Sequence, residues 1–279
     1  MLDLASRRAQ FVFGSIATAI GFFLFFPLFW MISTSFKPEA EVFRRIPSPL
    51  PIAPTIQNYV GALTRSELPI YLQNSLVTAG LGALLTTVLA VCAAYSFAKF
   101  AYRGRTALML LMISAQMFPF AVLLITLYPL MDAAGLLNTR IGLIISYIVF
   151  ALPSGTYMLY SYFINIPTEV IEAARADGAS ELRILTVIVL PLSIPGLVTV
   201  GLYAFMWAWN DLLYSLTLIT DPSLRTVGPG LLLSYLGESR NDWGGAMASS
   251  LIASLPVVVA FALVQRFFIQ GLTAGAVKS

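Results

Sequence analysis

The sequence has no histidine, a single cysteine and few charges: 10% of its 279 residues are Asp, Glu, Lys or Arg. An ordinary soluble domain carries about 25%. Each shortage excludes something. Without histidine the chain lacks the commonest general base and the commonest metal ligand, which argues against hydrolase and metalloenzyme chemistry. One cysteine, Cys92, leaves no partner for a disulfide within the chain. The sixteen Lys and Arg outnumber thirteen Asp and Glu by three. They are scattered, with no basic run and no aromatic interleaving, and nucleic acid is not an expected partner. What remains is apolar, 58% of all residues. Polar side chains this scarce cannot cover that surface, so lipid bilayer is the expected solvent.

A spanning helix needs about 20 mostly apolar residues. Six stretches meet that requirement, roughly Phe11 to Ser33, Ser75 to Ala98, Ala107 to Met131, Ile141 to Phe163, Pro195 to Ile219 and Ala246 to Phe267. The expected fold is all-α, a polytopic membrane protein with six transmembrane helices in a single domain over residues 1–279. Arg7 and Arg8 precede the first stretch, which is too long for a signal h-region and reads as an uncleaved anchor. The density of basic residues orients the chain. Lys99, Arg103 and Arg105 fall within seven residues, whereas Lys37, Arg44, Arg45 and Arg65 spread over about forty. Both termini are therefore expected in the cytoplasm, with Arg266 and Lys278 near the C-terminal one.

The most polar interruption lies between the fourth and fifth stretches, where five charged residues fall from Glu172 to Arg183. Orientation places it on the cytoplasmic side. Pro167 suits the first turn of a helix, and Glu169 and Glu172 suit its positive end. Gly178 is the natural stop, because glycine adopts a left-handed conformation without penalty. From Ile184 to Thr220 only Asp211 is charged, too long a run for one span and too short for two. Pro191 and Pro195 sit where a break would resolve this. Ser180 to Leu190 then reads as a helix along the inner membrane surface. The short helix, turn and second helix form either a docking element or a solvated loop.

"EAARADGASELRILTVIVLPLSIPGL" resembles the EAA motif of bacterial ABC-importer permeases, in which E-A-A-x-x-x-G is followed by a later L-P. The matching positions are Glu172, Ala173, Ala174, Asp177, Gly178, Leu190, Pro191 and Pro195. "FINIPTEVIEAA", "TSFKPEAEVF" and the final "FFIQGLTAGAVKS" are similar to the carbohydrate-uptake, maltose-permease-like branch. The similarity runs over nearly the whole chain. It implies that the segment is a coupling helix seated on a cytoplasmic ATPase. It also implies as partners two ATPase subunits, a second and homologous permease subunit, and an extracytoplasmic solute-binding protein. No G-x-x-x-x-G-K-[ST] phosphate loop is present, so ATP and Mg are expected on the partner ATPase and no cofactor in this chain.

Polar residues at membrane depth usually face the bundle interior or a watery cavity. In "LYAFMWAWNDLLYSL", Tyr203, Trp207, Asn210, Asp211 and Tyr214 have the spacing of one helical face, if the helix is continuous. Aromatic faces with an amide and a carboxylate would suit a neutral sugar or glycoside. The same residues would equally serve in packing, with Asp211 paired to another helix. Gln116 lies mid-span beside Pro119 and either lines a pathway or bonds to a neighbouring helix. Asn74 and Thr78 line an entrance or cap and pack, and "PSGT" at Pro153 to Thr156 is expected to bend the fourth span. Asp221 to Trp243 reads as an outer loop with a short helix, contacting the binding protein or without function. The principal rival is a secondary transporter driven by an ion gradient, for which Asp211 would be the coupling acid. That rival gives no reason for the EAA-like segment.

Overall fold

The computed structural model describes residues 7–235 and 242–276. Residues 236–241 of the expected outer loop, the C-terminal Lys278 and the side-chain surroundings of Arg7, Arg8 and Arg266 lie outside the described residues. Among those described, every regular element is a helix. Four helices are long and apolar enough to cross a membrane: α1 (Arg7–Ser35), α2 (Leu68–Lys99), α5 (Arg140–Phe163) and α11 (Trp243–Ala276). Two further pairs of helices reach that length and apolarity only when taken together, each bent at a short break. One joins α3 (Arg105–Ser114) and its 3-10 extension to α4 (Phe120–Ala133) at an angle of 103°. The other joins α7 (Glu181–Leu192) to α8 (Ile194–Trp209) at 82°. Between them lies α6 (Thr168–Ala176), and α8 is followed by α9 (Leu213–Leu218) and α10 (Val227–Tyr235).

Proline accounts for both bends. Pro119 has ψ 125° at the head of α4, a β-like value that ends the helix before it. Ser193, between Pro191 and Pro195, is the residue at which α7 gives way to α8. The break expected there is present. The third expected span, Ala107 to Met131, is not one straight helix, and the fifth, Pro195 to Ile219, is interrupted at 210–212. Pro153, by contrast, lies inside a continuous α5, so the expected bend is not a break.

The chain forms two compact units, one of residues up to Leu68 with Leu231–Ser254, the other of Pro69–Gly230 with residues from Leu255. In the first, the chain beyond α1 is stapled by two buried charges, Lys37 and Glu41. Lys37 donates to the Ser48 carbonyl, and its ammonium sits 4.8 Å over the Trp30 ring. Glu41 accepts from the Ser48 hydroxyl and from the Ile52 and Ala53 N–H groups. Burial opposes its ionisation, but those bonds and nearby Arg44 hold the carboxyl below the usual carboxylate range.

In the second unit, α2, α5 and α8 cross closely. Apolar burial gives little advantage over lipid tails, so small residues that let backbones approach supply the stability. Gly155 is such a residue, since a Cβ there would lie 2.9 Å from Val200 Cγ1. Ala90, Ala94, Leu159, Phe163 and Val200 continue the contact, and Ile171 of α6 and Ile184 of α7 belong to the same buried cluster. The polar segment is thus seated on the spans.

Candidate functional site

Two places hold the candidate residues. At the first, α6 starts after Pro167 and ends at Asp177. Gly178 then takes φ 82°. Its N–H donates to the Arg175 carbonyl, and the Ala179 N–H donates to the Ala174 carbonyl, both at 3.0 Å. This is a Schellman termination, in which two orphan carbonyls are satisfied because one residue can turn left-handed. Ser180 caps α7 by accepting from the Arg183 N–H. Glu172, Ala173, Asp177 and Gly178 are exposed, Ala174 packs partly on the cluster beneath, and Pro191 is exposed at the far end of α7. No heavy atom beyond its chain neighbours comes within 4 Å of the Cβ position at Gly178. The turn therefore offers an open, backbone-rich surface.

Polar contacts fix that turn from below. Arg175 Nε lies 2.6 Å from Glu181 Oε1, bridging the last turn of α6 to the first of α7. The Tyr95 hydroxyl of α2 donates to Glu181 Oε2 at 2.7 Å. The Glu181 carboxylate thus accepts from both Arg175 and Tyr95. One turn along α2, Lys99 Nζ donates to the Ile166 carbonyl at 2.9 Å.

The second place is the end of α8. Tyr203, Trp207, Asn210 and Asp211 line a groove of about 450 Å³ together with Phe120 and Leu213, a size typical of small-molecule sites. They do not share one helical face, because α8 stops at Trp209. Asp211, only 7% exposed, sits in the break and caps α9. Its carboxylate accepts from the Tyr214 and Ser215 N–H groups and from the buried Tyr147 hydroxyl of α5 at 3.1 Å. Asn210 donates to the Met206 carbonyl. Trp207 stacks on Phe150 at 3.9 Å and meets Tyr147 and Tyr214 edge-on.

Gln116 and Tyr214 line a neighbouring pocket of about 230 Å³ between α3, α4 and α5. Tyr214 stacks against Phe120, so its ring belongs to the wall between the two cavities. Gln116 donates to the Phe150 carbonyl at 2.8 Å, in the turn that Pro153 loosens, so it bonds to a neighbouring helix while also lining this pocket. Asn74 is fully buried. It donates to the Ser223 and Arg225 carbonyls and accepts from Arg140, while Thr78 donates to the Asn74 carbonyl. Both pack and cap in this structure. The sequence reading missed Tyr147, Phe150, Tyr95, Arg140 and Glu181. Only the four-residue spacing of Tyr95 and Lys99 on one face of α2 offered a hint.

Residues 86–274 match the family described as binding-protein-dependent transport system inner membrane component. The chain belongs to that family. This permease is 36% identical over 274 residues to the sulfoquinovosyl glycerol transport system permease protein SmoH of Agrobacterium fabrum, with 98% of this chain and 95% of that one covered. It is 36% identical over 281 residues to the trehalose/maltose transport system permease protein MalG of Thermococcus litoralis, covering 100% and 99%. It is 34% identical to the trehalose transport system permease protein SugB of Mycobacterium tuberculosis, covering 99% and 100%. The permease shares its fold with a chain of a crystal structure of a bacterial ABC transporter involved in alginate import. The TM-score is 0.84 at 22% identity, with 94% of this chain and 98% of that chain covered. It is therefore an all-α, multi-pass inner-membrane protein with a transport role.

Proposed function

We propose that the chain is one permease subunit of an ATP-driven importer for a neutral sugar or glycoside, the whole chain acting as a single transmembrane permease. A second permease subunit completes the pathway, two ATPase subunits bind ATP and Mg in the cytoplasm, and an extracytoplasmic protein delivers the solute. Both termini face the cytoplasm. Glu172, Ala173, Ala174, Asp177, Gly178 and Pro191 form the coupling surface, on which the ATPase seats. The observation that carries this reading is the turn at Gly178, exposed on its outer side and packed on α2, α5 and α8 beneath. A ligand-driven closure of the ATPases would move such a unit as a rigid body.

The solute side rests on the groove at the end of α8. Its lining combines aromatic rings with the Asn210 amide, and includes no Lys or Arg among the described residues. Asp211 spends its acceptors on the protein itself, so the groove's recognition chemistry is that of a neutral polyol. Trp207→Ala is expected to lower uptake of the cognate solute about tenfold at unchanged subunit yield, the scale of one lost aromatic contact of about 1.4 kcal/mol. Uptake assays in membrane vesicles measure it, and an unchanged rate removes Trp207 from the pathway.

The direct test of the whole reading is gentle solubilisation of the tagged chain from its native membrane and identification of its companions by mass. An ATPase pair with a second permease is the expected result. Recovery of this chain alone, with uptake following an ion gradient in vesicles, would establish the secondary transporter instead.

A further inference from the structure

We propose that Tyr95 of α2 is a positioning residue for the coupling turn, acting through Glu181, so that α2 as well as α5 and α8 receives the movement of the ATPase. The proposal rests on the importer reading above and deepens it.

Three kinds of contact shape and seat the turn. Ile171 and Ile184 bury themselves in the cluster that includes Val91, Ala94, Phe163 and Val200. Contacts of this kind are non-directional and tolerate sliding and rotation. The Arg175–Glu181 pair closes the loop across Gly178, but it links two parts of the same segment. Orientation relative to the spans is left to the hydrogen bonds, whose strength falls steeply with angle. Two such bonds join this segment and its lead-in to α2: Tyr95 to Glu181 and Lys99 to the Ile166 carbonyl. They issue from adjacent turns of the same helix face.

Glu181 is the shared member. One of its carboxylate oxygens faces Arg175 and the other Tyr95, so the turn's internal geometry and its seat on α2 are set by the same group. The Tyr95 ring is itself fixed, 5% exposed and edge-on to Phe100 and Phe163 at 5.6 and 6.4 Å. Its hydroxyl therefore comes from a rigid mount, and removing the oxygen alone leaves the mount in place.

The experiment uses the assembled complex in proteoliposomes with its binding protein and compares the parent with Tyr95→Phe, Glu181→Gln and the double variant. The readout is ATP hydrolysed per solute molecule imported. Complex yield and basal ATP hydrolysis should stay at the parent level in Tyr95→Phe, whose ring packing is retained. The ratio is expected to rise about fivefold, the scale of one charge-assisted hydrogen bond at a half-exposed site. Because Tyr95 acts through Glu181, whose substitution disturbs the Tyr95 bond as well as the Arg175 pair, the double variant should be no worse than the more affected single one. A parent-like ratio in Tyr95→Phe, or additive effects in the double variant, overturns the role of Tyr95. Should no ATPase accompany the chain at all, the importer reading fails first, and that outcome is distinguished by the composition of the purified material.

Discussion

Gly178→Pro abolishes import while the chain still inserts and accumulates in the membrane. Proline fixes φ near −65°, whereas this residue holds φ 82°. It also has no N–H, so the bond from residue 178 to the Arg175 carbonyl is lost. The cost at the turn is roughly 3 kcal/mol or more, and the turn cannot keep its shape. Because no neighbouring heavy atom lies within 4 Å of the Cβ position, the defect is one of backbone rather than of crowding. Gly178→Asn is the informative companion, since asparagine tolerates the left-handed region. It should retain most import if shape alone matters, and lose it if the ATPase approaches the turn closely. Normal uptake by a well-expressed Gly178→Pro variant would sink the docking role of this turn.

The second large effect is on stability. Asp211→Ala leaves the Tyr147 hydroxyl and the N–H groups of Tyr214 and Ser215 without their acceptor. A lost helix cap and an unpaired buried hydroxyl together cost about 2–4 kcal/mol. The variant complex should melt at lower temperature in detergent and be recovered in reduced yield. Asp211→Asn keeps the side-chain shape and one acceptor oxygen, and should lose about 1 kcal/mol. If Asp211→Ala instead assembles and melts like the parent but prefers a different solute, the residue belongs to the pathway and not to the scaffold.

Four of the expected spans are single long helices and were legible because bilayer thickness sets a helix length. The third is bent at Pro119 and the fifth is interrupted at 210–212, which hydropathy alone does not register. The turn was legible too, since Pro167 and Gly178 mark its ends by backbone chemistry that acts locally. The groove was not. Placing Tyr203, Trp207, Asn210, Asp211 and Tyr214 on one face assumed a continuous helix, and the chain returns to apolar residues directly after Asn210 and Asp211. One sign was present: an aspartate opening a new apolar run is a helix-start signal, and Asp211 has that role before α9. Phe120 of α4 and the Tyr147 and Phe150 rings of α5 meet Trp207 and Tyr214 from different helices, a meeting that no one stretch of sequence records. Tyr95 and Glu181 lie 86 residues apart, a pairing that depends wholly on how α2 meets α7.

The bend at Ser193 makes α7 and α8 a crank. If the ATPase seats on the turn as proposed, force delivered there would run along one arm, and an angle of 82° would convert that thrust into torque on the other. The α8 arm of 16 residues is about 24 Å long at 1.5 Å per residue. A rotation of about ten degrees would then sweep its far end through roughly 4 Å, the width of a hydroxyl-bearing ring edge. The groove stands at that end, where a small angular step at the turn would become a displacement large enough to open or narrow it.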